Sequence, residues 1–459
     1  MTTAATATLP LYPPTVPPLD ERLSRPRFLL RVLRNPLLTL PRAAYEERLS
    51  IMQRPGVVVV WVSDPALVEE VLLTNAGDFE KTAVEKRVFR GTLRDGVLTA
   101  EGKLWRWQRR TMAPMFRHAD ILRYVPEMAA AAQDQVARWR AAAPGSVHRL
   151  ERDMTETTFD IIARTMLTGG LPAEAETIKR ATAYLLSHIG WEIAYGLVRF
   201  PLWMPHPAMW GLRRTARQLR AAAGSIIARR KAEGGGGEDL LDRLLAALDP
   251  DSGAPMDDER LVNNLLTLLE AGHETTSRAL TWTLYLLARA PDWQERLRAE
   301  VRPVVGDGPV TAEHVASLPL TQQVLKEGMR LYPPVPFVSR TASRQTTIGG
   351  ETIPAGAMIM MSIYAMHRHR RLWADPDRFD PARFTPDREA AYPRCQFMPF
   401  GAGPRICLGA AFAMVEATVA LATFLRSARF EWDGAHEPHP ISRITLQPAG
   451  GMPLKGDRA

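Results

Sequence analysis

The sequence predicts a mainly α-helical protein with a small β portion, and three observations lead to this fold class. A helix-like run extends from about residue 257 to residue 289, which at ~1.5 Å per residue spans roughly 50 Å. Residues 100–230 alternate helix-like periods with short breaks. Strand patterns occur in short stretches, chiefly residues 56–62 and 345–366. Long helices therefore carry most of the predicted structure.

The N-terminal half begins with an arm. Residues 1–20 hold five prolines and no apolar signal-peptide core, and we assign residues 1–40 to this arm. The β-branched run of residues 56–62 is typical of a strand. Because the motifs described below are spread along the rest of the chain but point to one site, we expect residues 41–459 to form a single domain. Helical periods occupy Ile121–Ala143, Met154–Thr168, Ala173–Gly190 and Arg213–Ala232.

The C-terminal half contains the longest predicted helix. Asp257 and Asp258 favour its start, because carboxylates are stabilised at the positive end of a helix dipole, and Pro291 ends it. Residues 345–366 have Gly and Pro turns between apolar runs, which indicates short strands. An apolar helix is predicted from Leu408 to Ala428.

The composition excludes some classes of protein. The chain has 459 residues, 46% of them hydrophobic, which is enough for a large core. No run reaches the about 18 apolar residues that cross a bilayer. The net charge of +8 can attract nucleic acid, anionic lipid or an acidic protein partner, but no basic block interleaved with aromatic residues predicts nucleic-acid binding. We therefore expect a cytoplasmic protein without a transmembrane segment.

The two cysteines differ in context. Cys395 has no motif around it and is expected to be a core or loop residue, whereas Cys407 lies in the segment FGAGPRICLG, residues 400–409. Glycines permit a tight backbone and the close approach of a flat ligand. A helical pattern starts immediately after Cys407, and a helix start favours the thiolate form that binds iron. A lone cysteine at a helix start is more often inert, so the prediction depends on the loop.

The long helix contains the segment AGHETT, residues 271–276. Glycine inside a helix costs about 1 kcal/mol relative to alanine, so Gly272 indicates close approach of a cofactor or an opened helical turn. Ala271 and Thr275 share a helix face. A hydroxyl beside the carboxylate of Glu274 could relay protons, although such residues also occur on ordinary polar faces. His273 is expected to pack or to face solvent.

Two further pairs have helical spacing. Glu327 and Arg330 are three residues apart before a Tyr-Pro-Pro helix stop, a spacing that is common in surface ion pairs. Trp105 and Arg109 are four residues apart and share a face. Arg383 lies in the segment Pro-Ala-Arg-Phe of a Pro- and Asp-rich coil.

These segments together resemble the cytochrome P450 family over about residues 40–455. The loop around Cys407 is similar to the family's haem-binding loop, and AGHETT is similar to its oxygen-activating motif. The resemblance implies that Glu274 is the acid and Thr275 the hydroxyl of that motif. It also implies that Glu327, Arg330 and Arg383 form a structural triad behind the haem.

The resemblance implies the P450 fold, with haem b (iron protoporphyrin IX) between the long helix and the cysteine-loop helix, in a soluble bacterial-type member. Cys407 is the expected axial ligand of the iron, and guanidinium groups suit the haem propionates. The residues expected around the cofactor are Trp105, Arg109, Ala271, Arg340, Phe400, Arg405, Cys407 and Gly409.

The reaction that the family resemblance implies inserts one atom of O₂ into an apolar small molecule. Electrons are expected from a ferredoxin or flavodoxin-like carrier and its reductase. A peroxide-driven peroxygenase and a haem sensor or carrier without turnover are the alternatives, and the Glu274–Thr275 pair argues against both. Substrate contacts are expected from Thr267, Leu268, Pro336 and Phe337. The sequence does not identify the substrate.

Overall fold

The fold is seen in a computed structural model that describes residues 10–458 except 22, 55, 144, 168–172, 235–238 and 250–251. Helices predominate, which confirms the predicted fold class. The α-helices are α1 (Arg25–Arg34), α2 (Ala43–Glu46), α3 (Pro65–Glu69), α4 (Ala83–Phe89), α5 (Gly102–Met112), α6 (His118–Leu122), α7 (Val125–Ala141), α8 (Leu150–Met166), α9 (Ala175–His188), α10 (Gly190–Leu197), α11 (Met209–Ala232), α12 (Leu240–Ala246), α13 (Asp258–Arg289), α14 (Pro291–Val305), α15 (Ala312–Ala316), α16 (Pro319–Leu331), α17 (Ile363–Met366), α18 (Pro386–Ala390) and α19 (Ala410–Ser427).

The strands of the described residues form four small sheets. A five-stranded sheet has the order β1-β2-β8-β5-β3, in which only β2 and β8 are parallel. A three-stranded sheet has the order β4-β12-β9, and β6-β7 and β10-β11 are two-stranded. The strands are β1 (Leu49–Arg54), β2 (Val57–Val62), β3 (Phe79–Glu80), β4 (Val147–Arg149), β5 (Phe337–Ala342), β6 (Thr346–Ile348), β7 (Glu351–Ile353), β8 (Met358–Ser362), β9 (Ala428–Glu431), β10 (His439–Ser442), β11 (Leu446–Ala449) and β12 (Pro453–Arg458).

Most predicted elements are present, with two corrections. The helix expected over Ile121–Ala143 is divided into α6 and α7, because Pro126 starts a new helix at its first turn. The strand region expected to reach residue 366 ends at Ser362, whose hydroxyl accepts a hydrogen bond from the Ala365 N–H at 3.2 Å and caps α17.

Helix α13 is the central element of the molecule. Its side chains are buried along most of its length, and it packs against α8, α11, α16 and α19. Asp257 caps its start by accepting the Arg260 N–H at 2.8 Å, as the acidic pair predicts. Helix α19 is long and apolar enough to cross a membrane, but 72% of it is buried inside the fold. It is therefore a core helix, adjacent to α7 and α13.

Part of the predicted N-terminal arm packs on the body. The Val16 N–H donates to the Tyr364 hydroxyl at 3.1 Å, and the Tyr332 hydroxyl donates to the Pro14 carbonyl at 2.8 Å. Residues 1–9 of the arm lie outside the described residues. The boundary between the arm and a single domain from residue 41 stays a prediction.

Candidate active site

A cavity of about 610 Å³ lies between the middle of α13 and the loop that precedes α19. Its wall is mostly apolar, and it contains all but one of the residues predicted for the cofactor, the oxygen-activating motif and the substrate. The exception is Pro336, which is not part of the wall and whose carbonyl instead accepts the Tyr364 N–H at 3.3 Å. The predicted residues in the wall are Trp105, Arg109, Thr267, Leu268, Ala271, Glu274, Thr275, Phe337, Arg340, Phe400, Arg405, Cys407 and Gly409.

The cysteine loop is closed by its own backbone. The Cys407 N–H donates to the Phe400 carbonyl at 2.9 Å, and Gly401 and Gly403 have positive φ angles of 74° and 73°. A side chain at Gly403 would collide with the carbonyl oxygen of Leu72, so this position requires glycine for space as well as for φ. The loop therefore presents Cys407 to the cavity from a rigid turn.

The side chain of Cys407 is exposed only in the sense that it faces this cavity. Burial away from bulk water raises the pKa of the thiol, whereas the Gly409 N–H and the Arg109 guanidinium lower it. Helix α19 begins at Ala410, later than the sequence indicates, and the expected stabilisation of a thiolate by the helix start is outweighed by burial. A metal ion against the sulfur is what deprotonates such a thiol.

Three arginines converge on the same cavity from distant segments. Arg109 donates to the Ile406 carbonyl at 2.7 Å, which joins α5 to the cysteine loop. Arg405 forms an ion pair with Glu101, and its guanidinium carbon lies 4.4 Å from the centre of the Trp105 ring. Burial lowers the pKa of Arg109, Arg340 and Arg405, so each is a cation in a poorly solvated place.

The donor set fits a flat macrocycle that carries two carboxylates. Among the described residues, Arg340 makes one side-chain hydrogen bond, to the carbonyl of its neighbour Ser339 at 2.8 Å, which leaves guanidinium N–H groups for an acidic ligand. Planar guanidinium groups pair well with carboxylates. A cysteine sulfur and these cations in one apolar cavity match the chemistry of haem, whose iron supplies the oxygen-activating chemistry when it is bound.

The AGHETT segment lies in an unbroken part of α13. Thr275 Oγ1 donates to the Ala271 carbonyl at 2.7 Å, and the helix continues through Gly272 without opening, contrary to one expectation. Gly272 contributes to the cavity wall and also allows α8 to approach, since a Cβ there would lie 3.0 Å from Ile162 Cδ1. His273 is buried against the Phe159 ring, which confirms that it packs.

One carboxylate oxygen of Glu274 is held by other side chains. Its Oε1 accepts two hydrogen bonds from Arg278, at 2.7 and 2.9 Å, in a buried ion pair one turn apart. The Thr445 hydroxyl donates to the same oxygen at 3.0 Å from the turn between β10 and β11. The acid of the motif is therefore held at a set position on the wall of the cavity.

The structural triad is assembled as the resemblance implies. Arg330 donates to both carboxylate oxygens of Glu327, at 2.6 and 2.8 Å, and both residues are fully buried. Arg383 Nε lies 3.6 Å from Glu327 Oε1. Arg330 also donates to the carbonyls of His367 and Pro376, each at 2.7 Å. These bonds attach α16 to the coil that leads to the cysteine loop.

Several polar residues of the cavity were not predicted from the sequence. Lys81 is buried beside its ion-pair partner Glu85, and both contribute to the wall. Glu270 and Glu416 are buried carboxyl groups of α13 and α19 on the same wall, and burial raises the pKa of both. An acid within an apolar stretch of helix is the sequence signal that could have identified Glu270 and Glu416.

Comparison with known proteins agrees with this geometry. A sequence model of the cytochrome P450 family matches residues 42–454. The chain belongs to the cytochrome P450 family. P450 enzymes use haem b, so this chain is a haem-dependent monooxygenase that takes O₂, an apolar substrate and electrons from redox partners. The predicted family, fold, activity and cofactor are thereby confirmed.

Bacterial and plant P450 enzymes are among the similar proteins. Cyclooctat-9-en-7-ol 5-monooxygenase of Streptomyces melanosporofaciens is 32% identical over 78% of this chain and 77% of its own length. Pentalenene oxygenase of Streptomyces avermitilis is 31% identical over 83% of this chain and 84% of its own. Cytokinin hydroxylase of Arabidopsis thaliana is 30% identical over 86% of this chain and 77% of its own length.

Proposed function

We propose that this P450 oxidises an apolar cyclic terpenoid in the cytoplasm. The observation that carries the proposal is the apolar wall of the cavity beside Thr275. Two bacterial relatives are named for cyclooctat-9-en-7-ol and pentalenene, which supports a cyclic skeleton of similar size. The apolar side chains that contribute to this wall include Leu185, Leu186, Ile193, Leu268 and Phe337.

The roles proposed for the polar residues follow from their positions. Cys407 would hold the haem iron through its sulfur, and Arg109, Arg340 and Arg405 would bind the propionates, with Trp105 supporting Arg405. Small or flat groups at Ala271, Phe400 and Gly409 leave space for the macrocycle. Loss of one arginine is expected to lower haem retention without removing the fold.

Thr275 and Glu274 are proposed to supply protons during the reaction. The Thr275 hydroxyl lies at the cavity and donates to the Ala271 carbonyl. Its oxygen can also accept a hydrogen bond from a proton donor in the cavity. Arg278 and Thr445 both donate to Oε1 of Glu274, and no described side chain donates to its Oε2, which leaves that oxygen for proton exchange with the cavity.

The test compares two threonines of α13. Thr281 makes the same hydrogen bond to the carbonyl four residues earlier, at 2.7 Å, but is not part of the cavity wall. Thr275→Ala is expected to lower product formed per reductant consumed and to raise peroxide release, whereas Thr281→Ala leaves both ratios unchanged. Equal ratios in the two variants would contradict the role of Thr275.

The same assay separates the alternative functions. Pentalenene and cyclooctat-9-en-7-ol are incubated with the holoenzyme, a ferredoxin or flavodoxin with its reductase, and O₂. Oxidised product supports the proposal. Product formation with peroxide alone that equals the reductase-driven reaction indicates a peroxygenase. Binding of the terpenoids without product from any of them, with or without reductant, indicates a sensor or carrier.

The electron donor is proposed to be an acidic ferredoxin or flavodoxin-like protein that docks near the cysteine loop. Arg106 and Arg110 are exposed on α5, the helix whose Arg109 contacts the carbonyl before Cys407. Changing both to Gln is expected to slow reduction and to weaken its dependence on salt, because surface charges steer association. The control changes Arg213 and Arg214 of α11, which are equally exposed. Unchanged salt dependence in the α5 variant would overturn this docking site.

A further inference from the structure

Glu270 is one of two acids of the cavity wall, with Glu416 of α19, that have a buried carboxyl oxygen without a hydrogen-bond partner among the described residues. It lies on α13 immediately before Ala271 and contributes a carboxyl group to a wall that is otherwise mostly apolar. Its Oε1 is buried and has no hydrogen-bond partner, and no ion pair of Glu270 occurs among the described residues. Burial alone raises the pKa of Glu270 to about 8. A carboxyl group in such a place is unfavourable unless something satisfies it.

Glu274, on the same helix, differs from Glu270 in its hydrogen-bond partners. Glu274 is one turn away and is satisfied by Arg278 and Thr445 within the protein. Among the described residues Glu270 has no comparable partner, although both acids contribute to the same cavity. Of these two acids of α13, the protein therefore satisfies Glu274 internally and leaves Glu270 to whatever enters the cavity.

A second unpartnered group lies on a different element of the wall. Thr182 of α9 is 4% exposed, and its hydroxyl oxygen has no hydrogen-bond partner. Leu185 and Leu186 on the same helix also contribute to the wall, so the polar groups are isolated within an apolar surface. Few polar groups in an apolar pocket are typical of sites that orient a ligand.

We propose that Glu270 recognises a hydrogen-bond-donating group, a hydroxyl or an amine, on an otherwise apolar cyclic substrate. The inference rests on the proposed function, because it concerns the substrate of that site. Since Glu270 precedes Ala271 and lies five residues before Thr275, pairing at its carboxyl group anchors one end of the substrate relative to the reacting part of the cavity. Glu270 is thus a specificity-determining residue for the site of oxidation.

Binding to the ferric holoenzyme tests the proposal without turnover. The probes are adamantane, adamantanol and aminoadamantane, and the androstane series with the same substituents. Their binding is measured from the change in the haem spectrum. The wild type is expected to bind a donor-bearing member of a series roughly 10- to 100-fold more tightly than its hydrocarbon, the range of one hydrogen bond to a charged or buried group. Glu270→Leu is expected to abolish the difference.

A conservative variant separates the two donor groups. Glu270→Gln keeps a hydrogen-bond acceptor but cannot give up a proton to become the carboxylate that pairs with a protonated amine, so it retains selectivity for the alcohol but loses it for the amine. Glu351→Leu, which removes an exposed carboxylate of β7, is the matched control and keeps the wild-type pattern. Haem content and the ferrous carbonyl spectrum show whether each variant is intact.

Equal affinities within each series, or failure of every donor-bearing probe to bind the wild type, would overturn the role of Glu270. So would selectivity that persists in an intact Glu270→Leu variant. Donor selectivity without oxidation of any terpenoid would instead reject the proposed substrate class and leave this inference standing. Turnover of terpenoids together with equal affinities within each probe series would reject the role of Glu270 and leave the proposed substrate class standing.

Discussion

At the scale of single residues, the ion pair between Glu274 and Arg278 decides how the acid of the active site is held. The two side chains are 5% and 10% exposed, and their closest atoms are 2.7 Å apart. Their spacing of one helical turn is visible in the sequence, but the third partner, Thr445, is not, because it comes from a turn 171 residues away. A helical period predicts neighbours on one helix only.

Replacing Arg278 with Met is expected to lower the free energy of unfolding by roughly 3–5 kcal/mol, because it leaves a buried carboxylate without its cation. Urea unfolding of the wild type and the variant measures the change. Arg302→Met of α14, which is exposed, serves as the control and is expected to change stability by less than about 0.5 kcal/mol. A similar small loss for both variants would show that the ion pair contributes no net stability.

At the scale of elements, the cysteine loop is shaped by the segment that packs beneath it. Gly401 and Gly403 have nearly the same positive φ, but only Gly403 lies against a backbone, that of Leu72. The glycine pattern predicted a tight loop, and it could not tell which glycine is needed for conformation and which for space.

Gly403→Ala is therefore expected to be more harmful than Gly401→Ala. At Gly401 a methyl group meets no atom within 4 Å, so the cost is that of positive φ, about 1–2 kcal/mol. At Gly403 the backbone of Leu72 must also move, and both haem content and stability are expected to fall further. The ratio of haem to protein and the thermal midpoint measure the effect. Equal losses in the two variants would refute the contact with Leu72.

Helices α13 and α8 approach each other closely at Gly272. Gly272 was expected to allow the close approach of a cofactor or to open a helical turn. In the fold the helix stays closed, and Gly272 lies on the cavity wall and also provides space for Ile162 of α8. Its presence in mid-helix correctly indicated a close approach. The identity of the approaching group depended on how two helices more than 100 residues apart pack.

At the scale of the whole molecule, buried histidines make the stability of the fold dependent on pH. His367 is fully buried, and its Nε2 accepts the Met398 N–H at 3.0 Å. Burial, together with the charges of Arg330 and Arg368, lowers the pKa of His367 to about 3. The folded state therefore keeps this imidazole neutral, whereas an unfolded chain protonates it near pH ~6.5.

Because the folded pKa lies below the unfolded one, this contribution to stability is complete above pH ~6.5 and is lost as the pH falls towards about 3. The expected loss from this one group is roughly 1.4 kcal/mol per pH unit, or about 2 kcal/mol between pH ~6.5 and ~5. Urea midpoints across this range measure it. His367→Gln is expected to have a shallower slope, and the exposed His118→Gln the wild-type slope. Equal slopes in all three proteins would contradict the assignment.

The sequence by itself determined the family and the local parts of the site. The cysteine loop, the AGHETT segment and the Glu327–Arg330 pair are short patterns, in which glycine conformation and helical spacing act between near neighbours. Only the tertiary structure decided that Pro336 is outside the cavity wall, that Lys81 is inside it, and that Glu270 is left without a partner. These outcomes depend on which distant side chains come together when the chain folds, and spacing along the sequence carries no record of those distances.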